Sequence, residues 1–167
     1  AYLADSSLSV VDISNPSDPQ FAGGAWVQGY PRDVAISGNY VYVADRDYGV
    51  WVFDITDPTS PLRVGTTPFF SFETINSVTI AGSYAYVGTS GGLRVVDITI
   101  PDNIWIAGNA YTPGSAEDVT VSGNFAYVAV NGYGLYVFDI TTPTSPQFVD
   151  GAETPGHAFD VVVSGDY

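Results

Sequence analysis

Leu8-Ser9-Val10-Val11-Asp12-Ile13, Val50-Trp51-Val52-Phe53-Asp54-Ile55, Leu93-Arg94-Val95-Val96-Asp97-Ile98 and Leu135-Tyr136-Val137-Phe138-Asp139-Ile140 are four versions of one hexapeptide. Their aspartates are 42, 43 and 42 residues apart. A second block recurs in phase with the first: Ala1-Tyr2-Leu3-Ala4, Val41-Tyr42-Val43-Ala44, Ala85-Tyr86-Val87-Gly88 and Ala126-Tyr127-Val128-Ala129. Four copies therefore account for all 167 residues, and a fixed period of this size is the mark of a repeat architecture.

Within each copy, four short apolar runs alternate with turn residues, a strand pattern that leaves no room for a helix. In the second copy the predicted strands are Asp33 to Ser37, Tyr40 to Asp45, Val50 to Thr56 and Leu62 to Thr67. Gly38-Asn39, Gly82-Ser83, Gly123-Asn124 and Gly165-Asp166 join the first and second runs as two-residue hairpins, in which glycine accepts the positive φ at little cost. Proline-rich turns such as Asn15-Pro16-Ser17-Asp18-Pro19 and Asp57-Pro58-Thr59-Ser60-Pro61 join the third and fourth. Neither alternate set of Val50-Trp51-Val52-Phe53 is polar. A meander that is apolar on both faces has to be stacked between two neighbours, whereas an antiparallel sheet with one wet face alternates. Four-stranded repeats of about 40 to 45 residues stacked in this way are blades of a β-propeller. A two-sheet sandwich of 16 strands is the structural alternative.

The quartet of Leu/Val-x-Val-Val/Phe-Asp blocks, each followed by Ile-Ser/Thr-x-Pro or a close variant and preceded by Ser/Ala-Gly-x-Tyr/Phe-x-Tyr-Val/Leu-Ala/Gly, resembles the LVIVD-repeat family of bacterial and archaeal β-propellers. The resemblance covers essentially the whole chain. It implies the fold, a single propeller domain over residues 1–167 and an exported or cell-surface setting; it implies no catalytic residue. The chain departs from the WD-repeat pattern, because no Trp-Asp pair occurs and Gly156-His157 is the sole Gly-His.

Composition restricts function further. Eighteen Asp plus Glu stand against four Arg, with no Lys and no Cys, for a net charge of −14. A nucleic-acid partner needs clustered cations to release counterions and is not expected. Absence of Cys removes disulfides, thiolate zinc sites and cysteine nucleophiles. No apolar stretch approaches the roughly 18 residues of a spanning helix. The missing Lys points to an extracellular or salt-exposed surface. The sequence has neither an initiator Met nor a signal segment, which leads us to expect a processed end or a portion of something longer.

In a propeller the first strand of each blade lines the central channel. Asp33, Asp118 and Asp160 begin three of these strands, and Ser77 is the in-phase residue of the other. Converging at the channel mouth, the three carboxylates are candidate ligands for Ca²⁺ or another hard cation, with Arg32 and Glu117 as adjacent charges; capping of backbone groups is the structural reading of the same residues. Asp12, Asp54, Asp97 and Asp139 recur in all four copies and are expected to cap the turns that follow. Asp45-Arg46-Asp47-Tyr48-Gly49 resembles half of an oxygen-ligand loop but lacks the later Glu. His157, three residues before Asp160, is a solvated loop histidine on this reading; there is no Gly-x-Ser-x-Gly elbow for a triad.

The rim opposite the hairpins varies from copy to copy, and rigid scaffolds place binding groups on variable loops. Phe69, Phe70, Phe72, Tyr48 and Tyr133 are its candidate partner surface. The function expected is a non-catalytic extracellular or cell-surface scaffold that engages protein, glycan or copies of itself; the alternative is a small-ligand- or cation-binding propeller, or an enzyme, using the channel mouth.

The ends of the sequence are in phase with one another. Ser164-Gly165-Asp166-Tyr167 followed by Ala1-Tyr2-Leu3-Ala4-Asp5 reproduces Ser37 to Asp45. Residues 158–164 are therefore expected to supply the missing first strand of the opening blade by terminal strand exchange. This exchange can occur within one chain, between two chains in an eight-bladed ring, or along a longer array.

Overall fold

The computed structural model describes residues 1–68 and 73–165. Strands β1 (Tyr2–Ala4), β2 (Leu8–Asp12) and β3 (Gln20–Ala25) form a three-stranded first blade. Three four-stranded blades follow: β4 (Pro31–Ser37), β5 (Tyr40–Asp45), β6 (Gly49–Asp54) and β7 (Leu62–Thr66); β8 (Ile75–Ala81), β9 (Tyr84–Thr89), β10 (Gly92–Asp97) and β11 (Trp105–Ala110); and β12 (Ala116–Ser122), β13 (Phe125–Val130), β14 (Gly134–Asp139) and β15 (Gln147–Ala152). Every pairing is between sequence neighbours and antiparallel. The strands predicted for the second copy are those found, within two residues. The hairpin glycines Gly38, Gly82 and Gly123 have φ of 56°, 59° and 58°, a region where a Cβ would be strained.

Bulges recur in phase as well. One falls between Pro31 and Asp33, Ile75 and Ser77, and Ala116 and Asp118 on the first strands. Another falls where the third strand meets the fourth, at Val10/Val11, Val52/Phe53, Val95/Val96 and Val137/Phe138. A bulge adds a residue to one strand and re-aims the side chain that follows it. Asp33, Ser77 and Asp118 are those following residues.

The core lies between blades. Val41, Val43, Trp51 and Phe53 of the second blade pack with Leu8 and Val27 of the first. On the other face of the same sheet, Tyr42, Ala44, Val50 and Val52 pack with Ile75, Val78 and Ile104 of the third. Tyr86, Leu93 and Val95 repeat that arrangement against Val119, Val128 and Phe138 of the fourth. Burial of each such large side chain is worth about 1.5–3 kcal/mol, so the apolar two-faced pattern is satisfied by stacking. The first strands stand side by side, β4 beside β8 and β8 beside β12, while β1 lies on β4. At the outer edge, glycine permits close approach: a Cβ on Gly23, Gly65 or Gly108 would lie 2.0, 2.3 or 2.6 Å from the backbone oxygen of Thr59, Pro101 or Pro143 in the next blade's proline turn.

Closure within one chain, expected from the phase of the ends, is not formed. β1 pairs with β2 alone, and residues 153–164 contain no strand. The N–H of Val161 donates to Asp118 Oδ2 at 3.0 Å, which puts this segment beside β12, while β1 lies beside β4.

The repeated aspartates cap as expected. Asp12, Asp54, Asp97 and Asp139 accept the N–H of Ser14, Thr56, Thr99 and Thr141 at 2.8, 2.7, 2.9 and 2.8 Å. One turn later, Asn15 and Asp57 accept the N–H of Ser17 and Thr59. The hydroxyl and then the N–H of Thr56 hold Asp54 below the ordinary carboxylate range, and Thr141 does the same for Asp139. A folded-state value below the unfolded one adds stability above the unfolded value and loses it as pH falls through the folded one. Asp54→Ala and Asp139→Ala should each lower the melting temperature at pH 7, and the deficit should narrow below about pH 4, as read by thermal unfolding across a pH series.

Candidate functional site

The residues singled out at the channel are brought into one row by the inner strands. Asp33 Oδ1 accepts the N–H of Val34 and its Oδ2 that of Val78, both at 2.8 Å. The second bond crosses from β4 to β8, two strands that belong to different sheets and share no backbone ladder. Asp118 makes the same crossing one step from the end of the row, to Val161. Between them, Ser77 is buried and its Oγ has no hydrogen-bond partner among the described residues. Its neighbour Asn76, the extra residue of the bulge, crosses instead: Nδ2 donates to Ser115 Oγ at 2.9 Å and to the Ala116 carbonyl at 3.0 Å. Each inner strand is thereby stitched to the next by a side chain.

This use of Asp33 and Asp118 differs from the cation cage expected with Asp160. Among the described residues, no group of three or more His, Cys, Asp or Glu side chains is placed to hold a metal ion. The oxygens of Asp33 and Asp118 are engaged by backbone donors. Burial raises Asp33 above the ordinary carboxylate range, against the pull of the Val78 and Val34 N–H groups and with a contribution from the charge of Asp160. Burial raises Asp118 likewise, and Asp160 beside it adds to the rise. Among the described residues Arg32 makes no ion pair with these carboxylates; Glu117 accepts from Asn131 Nδ2 at 3.0 Å.

Of the other candidates, Asp45 closes its own loop, with Oδ1 accepting the N–H of Asp47 and Tyr48 at 3.0 Å. Its Oδ2 is buried without a partner among the described residues, and burial raises its value. His157 is exposed and hydrogen-bonds through Nδ1 to Asn131 Oδ1, with Phe159 6.0 Å away. Phe69, Phe70 and Phe72 lie outside the described residues. Tyr48 and Tyr133 are on the variable rim, 39% and 42% exposed.

Sequence reasoning missed two features. Arg94 is buried and paired with Glu73, its guanidinium 5.5 Å from the Tyr111 ring. The in-phase residues are Ser9, Trp51 and Tyr136, so a lone Arg in a core hexapeptide was the available signal. The second is the set of exposed aromatics beyond the two tyrosines: Trp26, Tyr30, Tyr111 and Phe159, 65–77% exposed, all in the same class of connection.

The stitching role generates a test. Asp33→Ala leaves the Val78 N–H without its acceptor, a loss of about 1–3 kcal/mol. Asp33→Asn retains an acceptor oxygen and removes the buried charge. Because a raised folded value disfavours the folded state as pH rises through it, Asp33→Asn should equal or exceed the wild type in stability at pH 7, and its advantage should shrink as the pH is lowered toward 4. Urea unfolding of the three proteins at both pH values reads the order.

The arc of blades has counterparts among solved structures. The computationally designed Ika8 protein, crystallised in P63, matches with a TM-score of 0.70 and 16% identity over 93% of this chain and 46% of that one. The computationally designed Ika4 protein matches with a TM-score of 0.64 and 14% identity over 79% of this chain and 78% of that one. At these identities the likeness is one of fold, and the chain spans less than half the length of Ika8. No curated protein matches the sequence. The LVIVD repeat model matches residues 1–24, 28–67, 75–112, 113–154 and 155–167, in step with the blades. Four in-phase blades, each carrying the hexapeptide on its third strand, and a match along nearly the whole sequence place the chain in the LVIVD repeat family.

Proposed function

We propose that the chain is a non-catalytic extracellular or cell-surface scaffold that holds a protein or glycan partner on its variable rim. The observation that carries this reading is the placement of aromatic side chains. Trp26, Tyr30, Tyr48, Tyr111, Tyr133 and Phe159 are all exposed, and all stand in the connections between first-blade, second-blade, third-blade and fourth-blade strands at that rim. Exposed aromatic groups on a rigid frame are what partner surfaces use, since they offer large contact area with little entropy to lose. The channel carboxylates, in contrast, are engaged by backbone donors, which leaves the inner row little with which to run a reaction. An acidic surface without Lys favours the exported setting and disfavours polyanionic partners.

The rim reading is tested with three tyrosines. The wild type should be retained in native gels containing at least one of cellulose derivatives, chitin derivatives or bacterial cell-wall polysaccharide, or pulled down by whole cell-wall fractions. Joint replacement of Tyr30, Tyr48 and Tyr133 by Ser should weaken retention by at least about tenfold, because truncating an anchor residue costs more than about 1 kcal/mol, with the melting temperature unchanged. No retention by any of these materials, or equal retention of the variant, overturns the rim as the binding face.

A further inference from the structure

At the variable rim, the connection that enters a blade meets the turn between its second and third strands, and the joint is built alike in three blades. The N–H of Arg46 donates to the Tyr30 carbonyl at 3.0 Å, that of Ser90 to the Thr74 carbonyl at 2.9 Å and that of Asn131 to the Ser115 carbonyl at 2.9 Å. Thr74 and Ser90, like Ser115 and Asn131, are polar and uncharged. Of the three blades, the second places an aromatic residue and a cation at this joint, and Trp26 and Tyr48 stand on the same two loops.

Beneath the joint, the other blades match their polar groups internally. In the first blade, Asp5 Oδ2 accepts the hydroxyl of Ser9 at 2.8 Å, and Ser9 holds the second place of the hexapeptide. In the third blade that place is held by Arg94, which pairs with Glu73, whose other oxygen accepts the Thr89 hydroxyl at 2.9 Å. In the fourth, Val130 stands where Asp45 does, so there is no acid to match. In the second blade the acid is Asp45 and the second place is Trp51. Trp51 lies opposite Val43 and Gly49 opposite Asp45, which makes indole and carboxylate diagonal neighbours on one face of the sheet, within reach of an aromatic side chain. Both residues are buried, and neither Asp45 Oδ2 nor Trp51 Nε1 has a partner among the described residues. Arg46 pairs with Asp47 instead, at 3.8 Å.

An unpaired acceptor beside an unpaired donor restricts what can join them. A cation satisfies the carboxylate and leaves the indole N–H. An anion does the reverse, and it meets Asp47 and a chain of net charge −14. A hydroxyl donates to the one and accepts from the other. The rings at the joint select the molecule that carries it: Trp26 and Tyr30 are largely exposed, and Tyr48 lies 6.4 Å from Trp51 between ring centroids. Such rings offer an apolar face with a polar edge, which suits the C–H face of a pyranose.

From this arrangement we infer that the second blade holds a subsite for a neutral hexopyranose unit of a glycan. The sugar ring rests on the rim aromatics, and its exocyclic hydroxymethyl group passes down between Asp45 Oδ2 and Trp51 Nε1. That hydroxyl extends beyond the sugar ring, as reaching a buried pair requires. The cover it passes is main chain: a Cβ on Gly29 would stand 2.3 Å from Asp45 Oδ1. Entry lifts the 26–30 connection at Gly29, and Trp26 moves with it.

The subsite rests on the rim reading, narrowed to a glycan, and its test separates the two. Cellohexaose, maltohexaose and chitohexaose carry the hydroxymethyl group; xylohexaose has the linkage of cellohexaose and lacks it. In ¹⁵N-labelled protein, at least one of the three hexose oligomers should shift the indole N–H signals of Trp26 and Trp51 and leave that of Trp105, on β11, in place. Xylohexaose should bind at least about tenfold more weakly, because it leaves the buried pair unjoined. This comparison uses the wild type alone, so a folding defect cannot imitate it. Asp45→Asn turns the free acceptor into a donor and Trp51→Phe removes the indole N–H; each should lose at least about tenfold in affinity with circular dichroism like that of the wild type. No shift with any of the three oligomers, equal affinity for xylohexaose, or wild-type affinity in either variant overturns the subsite. Retention by a polysaccharide that survives in Asp45→Asn and is lost when Tyr30, Tyr48 and Tyr133 are replaced sustains the rim reading while overturning the subsite.

Discussion

Every blade of this protein is apolar on both faces, and that constraint organises the rest. A sheet with Tyr42, Ala44, Val50 and Val52 on one side and Val41, Val43, Trp51 and Phe53 on the other has no face to give to water. It is stabilised by stacking on its neighbours, and the arrangement that serves all copies alike is a stack. The charged residues are accordingly displaced to turns, rims and the inner row, which is why so acidic a chain has an interior that is almost wholly hydrocarbon.

Stacking alone leaves sliding and rotation between sheets free. Two sets of contacts remove that freedom, one at each radius. At the inner edge, the bulge presents Asp33 and Asp118 to the N–H of Val78 and Val161, and Asn76 reaches the Ala116 carbonyl. At the outer edge, Gly23, Gly65 and Gly108 admit the backbone of the following proline turn. The angle between blades is set by these two fixings, with the packed side chains filling the wedge between them.

The blade was legible in the sequence because its determinants are local: the turn glycines, the prolines and the hexapeptide lie within a few residues of what they control. The capping role of Asp54 and Asp139 was legible for the same reason. The role of Asp33 was not, since its second acceptor bond is to Val78, 45 residues away, and the same phase that suggested a cage of carboxylates is the phase of a stitch from blade to blade. Closure within the chain was expected from complementary ends, but no strand forms over residues 153–164 and β1 pairs with β2 alone. The Glu73–Arg94 pair is a departure of one blade from the repeat, and a repeat-based reading averages such departures away. The rim aromatics Trp26, Tyr30 and Tyr111 were hidden by lying in connections that share no pattern.

Because the hydrophobic clusters lie between blades, the cooperative unit is the junction rather than the blade. Each repeat contacts only its neighbours, so stability behaves as a chain of nearest-neighbour terms. A defect in the second or third blade therefore weakens two junctions, and amide exchange is slowest where both faces of a sheet are packed, at Val43, Val52 and Val87.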